Sequence, residues 1–354
     1  MNKTPKTIFV GLSGGVDSSV AALRLQQQGH TVVGVFIKVW HPDFMVCNWE
    51  QERLDAMRVA AHLGIPFLTC DAEAEYRDEV AHSFIAEYKA GRTPNPDVLC
   101  NQQVKFGAFL RFAQAKGADY IATGHYAQRI AGAMGPELHR GVDTNKDQTY
   151  FLWTLTPEQL SHSLFPVGDS PKDTIRAEAE AAQIPVATKK DSQGICFLGH
   201  VDIPEFLGHY IDLVPGEVLN VKGEVVGEHK GAFVYTVGQR HGFTLHTTDQ
   251  ERTPMFVIAK NITTNTITVG PKNEVIQSAE HITLHSVQLR SKLNLGDTIE
   301  AQIRYRQTPF TVKVTELSDT HLVITPVSDI ERPAAGQSCV LYSGQNCLGG
   351  GIMA

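Results

Sequence analysis

The segment from Ser13 to Ser19, with the sequence SGGVDSS, is the part of the chain whose residue types most clearly indicate chemistry. It follows an apolar stretch at 7–12 and precedes a helical pattern at 18–28. A glycine pair at such a turn lets the backbone approach an anion closely, and the amides and positive dipole of the helix N-terminus then hold phosphate. Asp17 adds a carboxylate of the kind that binds Mg²⁺ together with phosphate oxygens. The loop therefore predicts a nucleotide site with Asp17 as its metal ligand.

Two better-known phosphate loops are excluded at this turn. The sequence there contains neither G-x-x-x-x-G-K-[ST] nor G-x-G-x-x-G. In open α/β sheets a nucleotide lies at the carboxyl ends of the strands. Ile37, at the end of the second predicted strand, and Gly124, after the fourth, are placed to contact the adenosine. Ile37 fits an ordinary core position equally well.

Two of the six cysteines lie in settings that favour a reactive thiolate. Cys100 follows Asn95-Pro96-Asp97, where proline predicts a helix start, and a helix N-terminus lowers the pKa of a thiol. Cys196 is preceded by Lys189 and Lys190, which make its surroundings electropositive. No cysteine pair has the C-x-x-C spacing of common zinc and thioredoxin sites. From spacing alone, each cysteine is either a reactive thiol or a buried core residue.

The elements that must position these residues follow from hydrophobic periodicity. Strand and helix patterns alternate through the first half of the chain, which predicts an α/β fold with a doubly wound parallel sheet. Short strands separated by Gly, Pro and Asn turns follow, and helical periodicity is nearly absent after about residue 280. This pattern predicts a small β-barrel. We expect a nucleotide-binding catalytic domain at 1–200, a small central domain at 201–276 and a C-terminal β-barrel at 277–354.

One strand of the predicted barrel shows a clear alternation of side chains. The first set, Ile299, Ala301, Ile303 and Tyr305, is predicted to point to one side, and the second set, Gln302, Arg304 and Arg306, to the other. The apolar set is therefore expected in the barrel core.

Composition limits the class of protein and its partners. The 354 residues are 42% hydrophobic and 19% charged, which is ordinary for a globular protein. The formal charge of −7 lacks the basic footprint of most nucleic-acid binders, so an RNA partner would require locally clustered Lys and Arg. No apolar run approaches the roughly 20 residues of a membrane helix, and the N-terminus has no signal-peptide pattern. We expect a cytoplasmic protein with no membrane partner.

Seven segments, in order along nearly the whole chain, resemble the tRNA-specific 2-thiouridylase family. The loop itself resembles that of PP-loop ATPases, which split ATP into AMP and pyrophosphate. Such a set is far more specific than any single motif. The segments are Gly11–Ser19, Ala90–Asn101 (AGRTPNPDVLCN), Ala122–Tyr126 (ATGHY), Asn145–Phe151 (NKDQTYF), Lys189–Phe197 (KKDSQGICF), Tyr305-Arg306-Gln307 and Cys347–Gly351 (CLGGG).

The resemblance implies a reaction and roles for particular residues. The reaction is ATP-dependent adenylation of the wobble uridine of tRNA followed by sulfur transfer, with Mg²⁺ present and sulfur supplied by a cysteine desulfurase or relay protein. Cys196 would bear the persulfide, Cys100 would release the sulfur and form a disulfide with Cys196, and Asp97 would act as acid or base. ATP would be held by Gly11, Leu12, Ser13, Gly14, Gly15, Val16, Asp17, Ser18, Ile37 and Gly124. The tRNA anticodon stem-loop would be contacted by Asn95, Pro96, Asp97, His125, Lys146, Asp147, Gln148, Arg304, Tyr305 and Gln337.

Two other classes of protein share some of these features. An ATP-dependent ligase of the amidotransferase or argininosuccinate synthetase type uses a similar loop, but it needs no cysteine pair. A non-catalytic nucleotide- or RNA-binding protein would release no pyrophosphate. The ordered cysteine motifs and the predicted barrel disfavour both.

Overall fold

The computed structural model describes residues 4–45, 49–191, 202–246, 254–277, 281–318, 320–331 and 333–354. The chain divides into two compact units. The first comprises 1–81, 96–200 and 342–349, and the second comprises 82–95, 201–341 and 350–354.

The chain up to residue 191 contains strands and helices in alternation, as the sequence predicts. The elements are β1 (Thr7–Gly11), α1 (Val16–Gln27), β2 (Thr31–Lys38), α2 (Trp49–Leu63), β3 (Phe67–Asp71), α3 (Glu73–Glu75), a π-helical segment (Tyr76–Ala81), α4 (His82–Lys89), α5 (Pro96–Cys100), a second π-helical segment (Asn101–Ala108), α6 (Phe109–Ala115), β4 (Tyr120–Ala122), β5 (Ala127–Gly132), β6 (Gly135–Arg140), a 3-10 turn (Thr149–Phe151), α7 (Pro157–Ser161), β7 (Ser163–Leu164) and α8 (Lys172–Ala181).

A five-stranded parallel sheet forms the centre of the first unit, with the strand order β3-β2-β1-β4-β7. Side chains of alternate residues in β1 point to opposite faces of the sheet. Ile8 and Val10 belong to a core cluster that also contains residues of α1, α2 and α8. Gly11 lies beneath Phe109 of α6, because a Cβ atom at Gly11 would be 3.5 Å from that ring. The sheet is therefore covered by helices on both faces, which confirms the doubly wound α/β prediction.

Three glycines end helices of the first unit. Gly29, Gly64 and Gly117 follow α1, α2 and α6 and have φ angles of +84°, +64° and +84°. This left-handed conformation is available to glycine without the steric cost that a Cβ atom imposes.

The central part of the chain is a separate small sheet within the second unit. Its strand order is β10-β9-β8-β12-β11. β8 and β12 pair in parallel and the other pairs are antiparallel. The elements are α9 (Ile203–Gly208), β8 (Gly216–Leu219), β9 (Val225–His229), a 3-10 turn (Ala232–Val234), β10 (Phe243–Leu245), β11 (Met255–Asn261), β12 (Thr266–Pro271) and a 3-10 turn (Lys272–Glu274).

The C-terminal part forms a six-stranded barrel in the order β14-β17-β16-β15-β19-β20, closed by pairing of β14 with β20. The strands are β13 (Ile276–Gln277), β14 (Ile282–Leu289), β15 (Thr298–Gln302), β16 (Phe310–Leu317), β17 (His321–Pro326), β18 (Ile330–Glu331), β19 (Ser338–Ser343) and β20 (Asn346–Met353), of which β13 and β18 pair outside the barrel. The fold is thus an α/β domain, a small central domain and a C-terminal β-barrel, as expected.

The predicted alternation in β15 is only partly right. Ile299, Ala301 and Ile303 are buried, as expected, but Gln302 is also buried, with 4% of its surface exposed. The strand ends at Gln302, whose amide donates a hydrogen bond to the carbonyl of Arg304 at 3.0 Å. The side chain therefore caps the turn after the strand instead of pointing to solvent.

Among the described residues, no helix combines the length and apolar character required to cross a membrane.

Candidate active site

The Ser13–Ser19 loop has the geometry that its sequence predicts. Gly15 precedes the first residue of α1, and Gly14 has a φ of +70°. The Ser18 and Ser19 hydroxyls donate to the Gly15 carbonyl at 3.2 and 2.7 Å, and the Ser13 amide donates to Ser18 Oγ at 3.3 Å. These bonds hold the loop at the N-terminus of a twelve-residue helix, which is where an anion binds.

The loop lies where the strand order of the parallel sheet reverses. β1 has β2 on one side and β4 on the other, and ligands of open α/β sheets bind at such a point. Gly124, which follows β4, packs directly against the start of α1, because a Cβ atom there would lie 2.6 Å from the Ser18 nitrogen. Behind the loop, a Cβ atom at Gly14 would lie 2.6 Å from the carbonyl oxygen of Glu52 in α2. Both glycines are therefore required by close packing.

Asp17 is held by two donors that the sequence analysis did not identify. Tyr126 donates its hydroxyl proton to Asp17 Oδ1 at 2.8 Å, and Lys172 Nζ lies 2.6 Å from the same oxygen. The Lys172 side chain is only 8% exposed, so its ammonium group is largely removed from water. Burial raises the pKa of Tyr126, and the nearby Asp17 carboxylate raises it further. Tyr126 therefore remains a protonated donor at neutral pH.

Lys172 also contacts Asp191, which is the centre of a cluster of cations. Asp191 Oδ1 lies 2.8 Å from Lys172 Nζ and 2.6 Å from Arg176, and Oδ2 lies 2.7 Å from Lys146 Nζ. Burial alone would raise the pKa of Asp191, but hydrogen bonds from Lys146 and Lys172 outweigh it and lower the pKa to about 2. Three cations, Lys146, Lys172 and Arg176, are thus gathered around the two carboxylates Asp17 and Asp191 near the loop.

Lys189, in the segment that precedes Cys196, contacts the backbone of the Ser13–Ser19 loop. Lys189 Nζ donates to the Gly14 carbonyl at 3.1 Å and to Asp55 Oδ2 at 2.9 Å. Asp55 lies in α2, and its pKa is lowered because bonds from Lys189 and Gln51 outweigh the opposing effect of burial. The segment that precedes Cys196 thus contacts the Ser13–Ser19 loop directly through Lys189, and Asp191 reaches it indirectly through Lys172. Cys196 itself lies outside the described residues.

Cys100 and Asp97 lie on one short helical segment, as their spacing predicts. α5 begins at Pro96, carries Asp97 in its first turn and ends at Cys100, where the π-helical segment begins. Such π-helical turns are frequent at functional sites. Asp97 is half-buried and Cys100 is fully buried, so the accessible thiolate expected at Cys100 requires an opening of this region. The expected proximity of Cys100 and Cys196 stays a prediction.

A buried acceptor adjoins Cys100 in the sequence. Asn101 is 2% exposed and donates from Nδ2 to the Phe151 carbonyl at 3.1 Å. Its Oδ1 has no hydrogen-bond partner in the part of the chain that the structure describes. A buried acceptor without a protein partner is uncommon in native proteins, and this oxygen is available to a ligand or a water molecule.

The residues of the first unit that the family resemblance assigns to tRNA differ widely in exposure. His125 is 8% exposed and packs against Phe106 and Phe165, and burial lowers its pKa well below the usual value, so the ring is neutral. Asp147 is also buried and accepts bonds from Arg140, Gly141 and Thr149. Lys146 pairs with Asp191, and the Gln148 side-chain oxygen accepts from the Tyr126 amide at 3.0 Å. Their RNA contacts stay predictions.

Arg304, Tyr305 and Gln337, which the resemblance also assigns to tRNA, belong to the second unit. Arg304 pairs with Glu331 at 3.0 Å and donates to the Val237 carbonyl at 3.2 Å. Gln337 donates to the carbonyls of Thr93 and Pro94, immediately before Asn95. Tyr305 follows Arg304 beyond the end of β15. Both Arg304 and Gln337 therefore make protein contacts, and their contacts with RNA stay predictions.

Two further cysteines have the properties of core residues. Cys70 and Cys339 are 1% and 0% exposed. Burial raises the pKa of each thiol to about 12, so neither is a thiolate at neutral pH. Of the two alternatives that spacing leaves open, burial thus favours the core residue for both. Cys47 lies outside the described residues.

Sequence reasoning missed Lys172, Arg176 and Tyr126 as parts of the site. Lys172 is 155 positions from Asp17, and it stands at the start of a helix whose pattern indicates only an amphipathic surface element. Tyr126 is the last residue of the ATGHY motif, but nothing in that motif indicates a hydrogen bond to Asp17. The packing of α8 against α1 brings Lys172 to Asp17, and the connection between β4 and β5 brings Tyr126 to the same carboxylate.

Three family models match successive stretches of the chain. They are described as a tRNA methyl transferase HUP domain at 6–200, a tRNA methyl transferase PRC-barrel domain at 204–271 and an aminomethyltransferase beta-barrel domain at 279–353. The first covers more than half of the chain and coincides with the parallel sheet and its loop. The chain is therefore a HUP-domain protein of the class described for tRNA-modifying enzymes.

Curated relatives identify the family more narrowly than the three family models do. Proteins from Tolumonas auensis and Shigella boydii, each named tRNA-specific 2-thiouridylase MnmA, are 44% identical to this chain. The matches cover 99% of this chain and 97% of the Tolumonas protein, and 100% of this chain and 98% of the Shigella protein. A relative of the same name from Escherichia coli K12 is also 44% identical over 366 residues. The chain belongs to the tRNA-specific 2-thiouridylase family, and the ligase alternative is not favoured.

Proposed function

We propose that this protein is an ATP-dependent sulfurtransferase that converts the wobble uridine of tRNA into 2-thiouridine. The observation that carries the proposal is the full-length similarity to 2-thiouridylases in a chain whose Ser13–Ser19 loop has the geometry of a phosphate site. Neither feature alone would define both the substrate and the energy source.

ATP would bind with its phosphates at the N-terminus of α1. Lys172 supports this placement because its ammonium group lies at the first turn of the helix, 2.6 Å from Asp17. Gly11, Ile37 and Gly124 lie at the carboxyl ends of β1, β2 and β4, where the adenosine would be held. Attack of uridine O2 on the α-phosphate would release pyrophosphate and make the oxygen part of an AMP leaving group.

The loop also fits a magnesium ion bound chiefly by the nucleotide. Within the described residues no three His, Cys, Asp or Glu side chains form a metal cluster. Mg²⁺ is commonly held by one or two carboxylates and substrate phosphates, so Asp17 with phosphate oxygens is a suitable donor set. When bound, the ion would neutralise charge on the phosphates, while Tyr126 and Lys172 fix the carboxylate that holds it.

The sulfur step would use Cys196 and Cys100. The terminal sulfur of a Cys196 persulfide attacks uridine C2, and AMP leaves with the original oxygen. The Cys100 thiolate then attacks the Cys196 sulfur, so a Cys100–Cys196 disulfide forms and the thiocarbonyl sulfur leaves with the electron pair. An external thiol reductant regenerates the cysteines. Asp97, three residues before Cys100 on α5, would exchange protons with the base.

The proposal requires two macromolecular partners in the cytoplasm. The first is the anticodon stem-loop of tRNA, whose unpaired wobble base leaves its stack at a cost of only a few kcal/mol. The second is a donor of persulfide sulfur, such as a cysteine desulfurase or a relay protein. The residues assigned to tRNA by family resemblance remain candidates for the first contact.

Nucleoside analysis tests this function directly. Unmodified tRNA is incubated with the protein, ATP, Mg²⁺ and a verified persulfide donor, then digested and analysed by mass spectrometry. We expect 2-thiouridine in amounts that depend on ATP. The absence of 2-thiouridine with an active donor, or the appearance of a methylated nucleoside instead, would reject the proposal.

A further inference from the structure

The segment that leads into α5 is held by a loop of the barrel, all within the second unit. The loop comprises residues 333–337 and is called the barrel clamp below. The Thr93 amide donates to the Ala335 carbonyl at 2.9 Å. Gln337 Nε2 donates to the carbonyl oxygens of Thr93 at 2.9 Å and Pro94 at 3.2 Å. Three bonds thus fix the backbone two residues before the predicted uridine contact at Asn95.

The Gln337 amide can make these bonds in only one orientation. Both acceptors are backbone carbonyls, so the atom facing them must be the nitrogen, which carries two hydrogens. Both hydrogens are therefore used on Thr93 and Pro94. No donor remains on this side chain for a nucleic acid, although its oxygen can still accept a bond.

The barrel clamp is held by backbone hydrogen bonds to Met353, and it packs closely on the segment that contains Arg92 and Thr93. The Gly336 amide donates to the Met353 carbonyl at 2.9 Å, and the Met353 amide donates to the Gln337 carbonyl at 2.9 Å. Gly336 has a φ of +88°, and a Cβ atom there would lie 2.9 Å from Arg92 Cβ and 3.0 Å from the Thr93 nitrogen. Only glycine permits this approach.

A third contact fixes the segment to the central sheet domain. Thr93 is 7% exposed, and its hydroxyl lies 3.0 Å from the hydroxyl of Thr236. Thr93 is therefore bonded through its amide, its carbonyl and its side chain. A segment that needed only to connect two elements would not require three such bonds.

We propose that Gln337 is a positioning residue, and that the barrel clamp sets the backbone geometry of the Thr93-Pro94-Asn95 segment for the thiolation reaction. This inference rests on the proposed function. Gln337 acts through the backbone of Thr93 and Pro94 and not as a donor to RNA. The clamp then matters for the reaction rate, because a misplacement of about 1 Å in a substrate-positioning segment costs about 100-fold in rate.

Two variants and two matched controls test the clamp. Gln337→Leu removes both donors at similar volume, and Gly336→Ala forces the clamp and segment apart while Gln337 is retained. Gly296→Ala is the backbone control, because Gly296 has a φ of +90° and no atom within 4 Å of an added Cβ. Gln345→Leu is the side-chain control, because Gln345 is exposed in the turn between β19 and β20.

Hydrogen exchange of a peptide covering 91–97 tests the clamp independently of catalytic activity, because it reports how well the backbone of this segment is protected. We expect faster exchange in Gln337→Leu and Gly336→Ala, and wild-type exchange in both controls. Unchanged exchange in both test variants would overturn the proposal. If wild-type protein makes no 2-thiouridine but exchange is faster in both test variants, the proposed function is rejected. The structural role of the clamp is then still supported.

Single-turnover thiolation at saturating tRNA measures the consequence. We expect the rate to fall about 10- to 100-fold in both test variants. The Kd for tRNA should change less than about threefold, since no RNA donor is lost. An unchanged saturated rate with a weaker Kd would overturn the proposal and make Gln337 an RNA contact. If Gln337→Leu does not fold, Gly336→Ala decides the same question.

Discussion

The ionic contacts of single side chains explain how the phosphate loop is prepared for an anionic ligand. Lys172 bridges Asp17 and Asp191, at 2.6 and 2.8 Å, and is largely buried. Two carboxylates offset its charge in the absence of nucleotide. A bound phosphate would be a third anion near the same ammonium group, which suits a residue proposed to stabilise charge developing at the α-phosphate.

Replacement of Lys172 by Met should therefore strongly slow nucleotide chemistry. We expect tRNA-dependent pyrophosphate release to fall by about 100-fold, a typical loss for one preorganised electrostatic contact. Lys116→Met is the control, because Lys116 is exposed at the end of α6. Wild-type pyrophosphate release in Lys172→Met would refute the role given to this lysine.

Asp191 should make stability depend on acid pH. Its pKa is about 2 in the folded protein and about 3.9 in an unfolded chain. A lowered folded pKa contributes stability above the unfolded value, and this contribution is lost as pH falls towards the folded value. The difference in free energy of unfolding between wild type and Asp191→Asn should thus have its full value above about pH 5 and decrease as the pH falls towards 2.

Denaturant unfolding at several pH values measures this difference, with Asp43→Asn as the control because Asp43 is exposed and outside the cluster. A difference between wild type and Asp191→Asn that stays constant from pH 5 to pH 2 would show that the cations do not hold the Asp191 carboxylate.

At the level of the elements, the turn after β4 packs against the start of α1, at the proposed nucleotide site. Gly124 is the point of closest approach. Gly124→Ala would force the Ser18 amide outward, since the added Cβ would lie 2.6 Å away from it. We expect ATP affinity, measured by calorimetry, to fall at least about tenfold, because the loop amides lose their alignment.

Gly208→Ala provides the comparison for that variant. An added Cβ at Gly208 would meet only Leu213, at 3.8 Å, and neither glycine has a positive φ. Unchanged ATP affinity in Gly124→Ala would mean that the start of α1 does not form the phosphate site.

The sequence predicts these elements well where one local pattern decides the structure. Gly29, Gly64 and Gly117 end their helices because each takes a left-handed conformation, a local property of glycine. Gln302 is buried against expectation because its environment is set by the turn after β15. Lys172 and Gln337 were not predictable in their observed roles, since their partners are 155 and 244 positions away and depend on tertiary packing.

At the scale of the whole molecule, the C-terminal residues contribute to the first unit as well as to the barrel. Residues 342–349 belong to the first unit. Tyr342 is 0% exposed, its ring lies 3.5 Å from the Arg140 guanidinium, and its hydroxyl lies 3.3 Å from Thr149. The N-terminal α/β domain therefore depends for its packing on residues at the far end of the chain.

Tyr342→Ala should destabilise the protein by about 3–5 kcal/mol, the usual effect of removing a buried aromatic ring. Tyr342→Phe keeps the ring and should cost about 1 kcal/mol through the lost hydroxyl contact. Denaturant unfolding monitored by fluorescence measures both. Equal stability of Tyr342→Ala and wild type would show that these residues are dispensable for the α/β domain.

The central claim is that ATP chemistry at the loop and sulfur chemistry at the cysteines are separate steps of one reaction. Cys100→Ser separates them most directly, with pyrophosphate and 2-thiouridine measured in the same tRNA reaction. We predict pyrophosphate release without 2-thiouridine, whereas Lys172→Met should give neither. Formation of 2-thiouridine by Cys100→Ser at the wild-type rate would contradict the account.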